Sequence, residues 1–268
     1  MTTLVPYEIY AVRYAHHHER RASDNFLGGD PHDGPMPLDY FVWAIVGRDK
    51  TYVVDTGFDS AVGKKHGREV LRCPSEGLAM VGVEPEHVRD VIITHMHYDH
   101  CGNHHLFPNA TFHLQDLEMT YVTGRHMCHA PIGQVFEPDD VCVMVRRLFD
   151  GRLQYHDGTD ELAPGLSVHL IGGHTMGLQA VRVWTQRGWV VLASDASHLY
   201  SNMEQERPFP VLYNLGDMLE GYNTLRRLAS SGQHIVPGHD PLVMQRYPAP
   251  KRGLEGIVIR LDVEPVKD

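Results

Sequence analysis

Three histidines and one aspartate, His95, His97, Asp99 and His100, lie within six consecutive residues of this chain. Imidazole nitrogen and carboxylate oxygen are ligands that zinc and similar divalent ions accept. The apolar run 91–93 comes directly before them and predicts a buried strand. Because side chains alternate between the two faces of a strand, only a loop after that strand can direct all four groups at one point. The pattern therefore predicts metal ligands in a loop.

Three later segments repeat the arrangement of an apolar run followed by a histidine or an aspartate. A histidine follows the glycine pair 172–173, an aspartate follows the run 190–194, and a histidine follows the Pro-Gly pair 237–238. Each alone is an ordinary turn residue, but together with the first motif they supply five histidines and two carboxylates at strand ends. A site for two ions needs such a set, with one carboxylate between the ions. The predicted ligands are His95, His97, Asp99, His100, His174, Asp195 and His239.

The motif order HxHxDH, GGHT, SDA and PGHD resembles the metallo-β-lactamase-fold hydrolases, and most closely their N-acyl-homoserine-lactonase-like branch. The resemblance extends over residues 52–240 and includes the early turn that begins at Asp55. It implies an α/β (α+β) four-layer αβ/βα sandwich with two Zn²⁺ per chain at the edge between two sheets. It assigns His95, His97 and His174 to one ion, Asp99, His100 and His239 to the other, and Asp195 to both. It also implies that Asp55 orients a ligand. Iron, manganese or cobalt would suit the same ligands.

The resemblance implies hydrolysis of a lactone ring by water that the metals activate, which for acyl-homoserine lactones is quorum quenching. Asp99 is expected to orient that water and to carry a proton to the leaving group. In this branch a tyrosine soon after the bridging aspartate stabilises the oxyanion. Here His198 stands at that position and Tyr200 lies two residues further on, so either could serve. This departure leaves open acyl-homoserine lactones, other small lactones, and other cyclic esters or amides from catabolism.

Other activities of related proteins agree less well with the residues. A thioesterase of the glyoxalase II type would need cationic groups for glutathione late in the chain, where no recognisable pattern follows Asp240. A β-lactamase often has cysteine where Asp195 stands, and a redox di-iron protein typically has glutamate where His97 stands. A non-catalytic, metal-stabilised binding protein is the alternative from another class. Hydrolysis of any ester at stoichiometric zinc would exclude it.

The charge, hydropathy and cysteine content of the chain indicate which partners and which cellular location to expect. The net charge is −10 over 268 residues, and basic pairs such as Lys64-Lys65 and Arg226-Arg227 are isolated, which argues against nucleic acid binding. The chain has no apolar run of about 20 residues and no signal-peptide pattern. Its four cysteines have no CxxC spacing, and we expect them to be reduced thiols. We therefore expect a cytoplasmic protein with no membrane partner and a small lactone or ester as substrate. Related hydrolases are often dimers, so a homodimer is compatible.

The local patterns predict one domain over residues 1–268. Strands are expected at 7–12, 38–46 and 110–115, and helices at 75–81, 84–90 and 217–230. Residues 15–37, which contain His16-His17-His18, are expected to form an exposed loop at the pocket rim. Residues 115–154 are rich in methionine and aromatic side chains, and the resemblance puts them over the metals as a substrate-specificity segment. Ordinary core packing is the alternative for that segment.

Overall fold

Two sheets and their connecting helices make up the protein, for which a computed structural model describes residues 4–266. The strands of this part are β1 Glu8–His17, β2 Leu38–Val46, β3 Thr51–Val54, β4 Glu69–Val70, β5 Asp90–Ile92, β6 Thr111–Gln115, β7 Leu153–His156, β8 Thr159–Ala163, β9 Leu166–Leu170, β10 Gln179–Thr185, β11 Gly188–Ser194, β12 Ile235–Pro237 and β13 Val258–Arg260. The helices are α1 Ala22–Asn25, α2 Ser60–His66, α3 Pro74–Ala79, α4 Tyr98–Cys101, α5 Asp116–Val122, α6 Ala130–Gly133, α7 Pro138–Phe149, α8 Tyr200–Glu204, α9 Leu215–Leu228 and α10 Leu242–Arg246.

The larger sheet has eight strands in the order β13-β1-β2-β3-β5-β6-β7, and β4 pairs with β1. Its strands β1, β2 and β3 are antiparallel, whereas β3, β5, β6 and β7 are parallel. Parallel strands end at the same edge of a sheet, and that edge is where such folds place their sites. The loop with the first histidine motif follows β5 at this edge.

The smaller sheet has five strands in the order β12-β11-β10-β9-β8. Strands β8 to β11 are antiparallel and β11 is parallel to β12. Strands β9, β11 and β12 consequently run in one direction and end at one edge. His174, Asp195 and His239 follow these three strands, so the smaller sheet brings three of the predicted ligands to a common edge.

The sheets pack face to face with helices on both outer faces. In β1, Ile9 and Ala11 belong to the core between the sheets, whereas Val12 belongs to the core under the helices of the larger sheet. This alternation is what a strand buried on both faces requires. Met144 of α7 packs on the larger sheet and Tyr222 of α9 on the smaller. The predicted four-layer αβ/βα sandwich is confirmed.

Several element boundaries differ from those expected from sequence. The prediction of a strand at 38–46 is confirmed, and the predicted helix at 217–230 is α9, which begins at Leu215 because the Asn214 side chain accepts from the backbone N–H groups of Gly216 and Asp217. The predicted helix at 84–90 is wrong. Only a 3₁₀ turn, Pro85–His87, forms there, because the chain must extend again at Asp90 to enter β5.

The expectation of an exposed loop over residues 15–37 is wrong at its start and in its middle. Strand β1 continues through His16 and His17, both partly buried, and only His18 of the three is exposed. His16 Nδ1 contacts the buried carboxylate of Asp39 on β2. A short helix, α1, follows. The triple histidine is therefore mostly part of the larger sheet.

Two further observations concern the whole described chain. None of the helices within residues 4–266 is long and apolar enough to cross a membrane. The four cysteines form no disulfide there, and Cys101, inside the first histidine motif, is buried. Free thiols are what the sequence predicted.

Candidate metal centre

The loop after β5 carries four of the predicted ligands into the space between the sheets. The chain leaves β5 at Ile92, and α4 begins at Tyr98 with His97 as its N-cap residue. Extended backbone therefore presents His95 and His97, and the first turn of a helix presents Asp99 and His100. All four side chains are buried.

Three imidazole nitrogens meet in one group at this edge. Nε2 of His95 lies 3.0 Å from Nδ1 of His97, and Nε2 of His174 lies 3.2 Å and 2.9 Å from these two atoms. Tetrahedral zinc with Zn–N bonds of about 2.0–2.1 Å places its nitrogen ligands about 3.3 Å apart. The spacing of the three nitrogens therefore suits one tetrahedral ion.

A second group of donors adjoins the first and shares one carboxylate with it. Nε2 of His239 lies 3.0 Å from Oδ1 of Asp195 and 3.6 Å from Oδ2 of Asp99. Nε2 of His100 lies 3.4 Å and 3.5 Å from the same two oxygens. The other oxygen of Asp195, Oδ2, lies 3.4 Å from Nε2 of His174 in the first group. Asp195 thus faces both groups, one oxygen toward each.

Hydrogen bonds behind the ligands fix which imidazole nitrogen faces inward. Nδ1 of His174 donates to the carbonyl of Val211 at 2.7 Å, and Nδ1 of His239 donates to the carbonyl of Asp39 at 2.9 Å. Nδ1 of His100 contacts Oδ2 of Asp55 at 2.7 Å. Each bond leaves the lone pair of Nε2 free for an ion, as is usual behind histidine ligands. Asp55 thus contacts His100 from behind, which is the position that the family resemblance implies.

The protonation chemistry of the first group suits a cation, whereas in the second group Asp99 and Asp195 raise the pKa of His100 and of His239 against the effect of burial, so that an ion would replace a proton there. Burial lowers the pKa of His95 and of His97 well below the usual value, which favours neutral imidazoles. Burial alone would raise the pKa of Asp195, but His239, His198 and His100 hold it well below its usual range. Within residues 4–266, Nε2 of His100 and Oδ1 of Asp195 are buried without a hydrogen-bond partner. Two divalent ions would satisfy these atoms, so the residues fit a dinuclear centre.

Glu118, which sequence reasoning missed as part of this centre, connects two of its loops. The carboxylate is fully buried and accepts from the backbone N–H of Met96 at 2.8 Å, the hydroxyl of Thr175 at 2.6 Å and the backbone N–H of Gly177 at 3.0 Å. Only glycine fits at 177, because a Cβ there would lie 2.1 Å from the backbone nitrogen of Glu118. Glu118 therefore fixes the loop of His95 and His97 relative to the loop of His174.

The structure separates the two residues considered for oxyanion stabilisation. Nε2 of His198 lies 2.9 Å from Oδ2 of Asp195, and its ring stacks on Phe209 at 3.3 Å between centroids. Burial lowers the pKa of His198 to about 3, so the ring is neutral at pH 7. Tyr200 instead begins α8, and its ring lies under the guanidinium of Arg246, 3.9 Å away, beside another cavity. The prediction that Tyr200 could reach the reacting groups therefore has no support in this geometry.

A small pocket of about 60 Å³ opens over the two donor groups. Leu38 and Tyr40 of β2 border it, together with Val135 of the predicted specificity segment and Arg20 of the segment 15–37. Phe136 contacts the His97 ring at 4.5 Å between centroids. Larger clefts, such as one of about 640 Å³ beside Tyr7 and Lys50, contain neither donor group. The chemistry and the pocket thus coincide at the edge between the sheets.

A comparison with protein families identifies this architecture. The family model described as the metallo-beta-lactamase superfamily matches residues 36–239. The chain belongs to this superfamily. The matched range contains all seven predicted ligands, and the resemblance stated from the motifs is confirmed.

Relatives and solved structures point to one group of enzymes. An N-acyl homoserine lactonase of a Bacillus species is 32% identical over 135 residues, which are 49% of this chain and 48% of that protein. The N-acyl homoserine lactonase AttM of Rhizobium johnstonii is 30% identical over 181 residues, 62% of this chain and 64% of that protein. The match thus spans about half the length of the first relative.

Solved structures extend the likeness of fold to nearly the whole chain. A quorum-quenching N-acyl homoserine lactone lactonase superposes with a TM-score of 0.74 at 22% identity, covering 90% of this chain and 95% of that chain. The dizinc quorum-quenching lactonase AidC, solved with its product, superposes with a TM-score of 0.70 at 16% identity over 89% of each chain. At these identities the structures establish a shared fold.

Proposed function

We propose that this protein is a dinuclear zinc hydrolase that opens a lactone ring. The observation that carries the proposal is the pair of donor groups sharing Asp195 under one pocket. Two bound divalent ions would polarise the ester carbonyl and activate water at neutral pH. His95, His97 and His174 would hold one ion, Asp99, His100 and His239 the other, and Asp195 both.

Two side chains beside the ligands would serve the reaction directly. Asp99 borders the pocket, and its carboxylate would orient the attacking water and carry a proton to the leaving alkoxide. His198 also borders the pocket, and its Nε2–H, which faces Oδ2 of Asp195 in the structure, would donate to the oxyanion once the ions hold that carboxylate. The neutral ring of His198 is a suitable donor, because it needs no proton uptake near pH 7.

The lactone is proposed from the relatives, since curated proteins matching this chain are named N-acyl homoserine lactonases. A thioester of the glyoxalase II type and other cyclic esters or amides are the competing substrates. Cytoplasmic location, a homodimer and a single domain over residues 1–268 stay predictions.

A hydrolysis screen on protein of measured zinc content tests the proposal. Proton release would be followed for acyl-homoserine lactones of several chain lengths, γ-butyrolactone, aromatic lactones, S-lactoylglutathione and a cephalosporin. We expect turnover of lactones, and its loss in a His174→Ala variant. Turnover of the thioester alone would replace the lactonase proposal with a thioesterase. Absence of turnover on all of these by protein with two zinc ions per chain would contradict it.

A further inference from the structure

Two arginines border the pocket without an acidic partner. Arg20 comes from the segment after β1 and Arg68 from the turn between α2 and β4, and both line the cavity that His97 and Asp99 line. Some other arginines of the protein form ion pairs, such as Arg21 with Asp33 at 2.7 Å. Neither Arg20 nor Arg68 forms an ion pair with an acidic residue between positions 4 and 266. The pocket wall thus carries two positive charges that no carboxylate directly offsets.

Neutral acceptors hold both guanidinium groups in place. Arg20 donates from Nε to Oδ1 of Asn25 at 2.6 Å and from Nη2 to the carbonyl of Asp24 at 3.0 Å. Arg68 donates from Nε to the hydroxyl of Tyr98 at 3.1 Å and from Nη1 to the carbonyl of His66 at 2.6 Å. One terminal nitrogen of each, Nη1 of Arg20 and Nη2 of Arg68, has no protein partner in the described chain. Both guanidinium groups are therefore held in a defined orientation, and each keeps one terminal nitrogen as a free hydrogen-bond donor.

Both arginines also act on the neighbouring His17. Burial, Arg68 and Arg20 together lower the pKa of His17 to about 4, so this neighbour is neutral at pH 7. Nη1 of Arg68 lies 3.3 Å from Nε2 of His17, which accepts from it. The Asp24 carboxylate is bound to the backbone N–H of Arg21 at 3.0 Å. In the pocket itself, the acids that line it are Asp99 and Asp195, which face the metal positions.

We propose that Arg20 and Arg68 bind a carboxylate on the substrate, so that the enzyme takes a carboxylate-bearing lactone or ester in preference to an uncharged acyl-homoserine lactone. This inference rests on the proposed hydrolase function and narrows its substrate class. Guanidinium groups recognise carboxylates through paired, charge-assisted hydrogen bonds, and partial burial strengthens them.

Matched substrates test the inference on the zinc-loaded enzyme. γ-Butyrolactones with a carboxylate on different ring carbons would be compared with their carboxamides, which have similar size but no charge. We expect kcat/KM for the best carboxylate to exceed that for its carboxamide by about tenfold or more, as one charged hydrogen bond provides. Arg20→Gln and Arg68→Gln should each move this ratio toward one. Arg21→Gln is the control, because Arg21 pairs with Asp33 at the surface and should leave the ratio unchanged.

A binding measurement decides the inference independently of turnover. Glutarate and its uncharged dimethyl ester would be titrated calorimetrically into zinc-loaded wild type and the three variants. Tighter binding of glutarate that weakens in Arg20→Gln and Arg68→Gln, but not in Arg21→Gln, supports the carboxylate site even if no lactone is hydrolysed. The carboxylate site is overturned if wild type binds the two ligands equally tightly. It is also overturned if all three variants bind glutarate as tightly as wild type does. Efficient turnover of acyl-homoserine lactones with no preference for carboxylates overturns the inference and leaves the hydrolase proposal intact.

Discussion

Replacing Glu118 by glutamine tests whether this buried carboxylate organises the metal centre. One carboxylate oxygen accepts from Met96, and the other accepts from Thr175 and Gly177. In Glu118→Gln the amide oxygen can keep the pair of bonds to Thr175 and Gly177. The amide NH₂ then faces the backbone N–H of Met96, so two donors oppose each other and one charged hydrogen bond is lost.

The size of the effect follows from that lost bond. A hydrogen bond to a charged group contributes about 1.5–3 kcal/mol, and a buried donor without a partner costs about 1–3 kcal/mol. We therefore expect Glu118→Gln to lower the free energy of unfolding by about 3 kcal/mol. Because the bond to Met96 lies between His95 and His97, zinc affinity should fall about 10–100-fold, the usual range for groups behind metal ligands.

Urea unfolding of the zinc-free protein and competition with a chromophoric chelator measure the two effects separately. Glu86→Gln is the matched control, because Glu86 is exposed and its side chain forms no hydrogen bond within residues 4–266. It should change stability by less than about 0.5 kcal/mol. Wild-type zinc affinity in Glu118→Gln, together with a stability change no larger than in the control, would refute the proposed role of the carboxylate.

Three further predictions use other parts of the structure. Tyr200→Phe should leave kcat unchanged on any lactone that wild type opens, because the ring lies beside a separate cavity; a drop of tenfold or more would restore Tyr200 to the mechanism. His239→Ala should lower the zinc content from two ions to one per chain by elemental analysis, and a content of two would contradict the proposed ligand set. Burial and Arg182 lower the pKa of His169 from 6.5 to about 4, so stability from its neutral form is present above pH 6.5 and is lost as pH falls toward 4. Between pH 7 and pH 5 the free energy of unfolding of His169→Gln should therefore fall by about 1 kcal/mol less than that of the wild type, after allowance for solvent screening. Urea titrations at the two pH values measure this difference, and an equal fall in both proteins would exclude the contribution of His169.

The sequence brought out the candidate ligands because each follows the apolar end of a strand, and two of these strands have contiguous apolar residues. The run 91–93 before His95 and the run 190–194 before Asp195 are visible without any structure. The end of a strand fixes where the next side chains lie, so local patterns suffice for the position of these groups. The fold class followed from the same motifs through the family resemblance.

Glu118, Arg20 and Arg68 could not be predicted in the same way, because their environment is set by distant segments. The partners of Glu118 are backbone and hydroxyl groups at positions 96, 175 and 177, which have no spacing relation to it. The first strand was predicted too short because its register shifts between Arg13 and Ala15, which interrupts the alternation that indicates a strand. The orientation of Tyr200 depends on where α8 begins, and helix starts are poorly marked when the N-cap residue is leucine.

The division of the ligands between the sheets has a consequence for how the protein matures. His95, His97, Asp99 and His100 follow β5 of the larger sheet, whereas His174, Asp195 and His239 follow strands of the smaller one. Neither sheet alone offers a complete set of donors for either ion. If these residues hold zinc as proposed, tight zinc uptake during refolding would have to wait until the two halves of the sandwich meet. The rate at which a zinc-sensitive dye in the refolding buffer loses its zinc signal would then report the rate at which the two sheets dock.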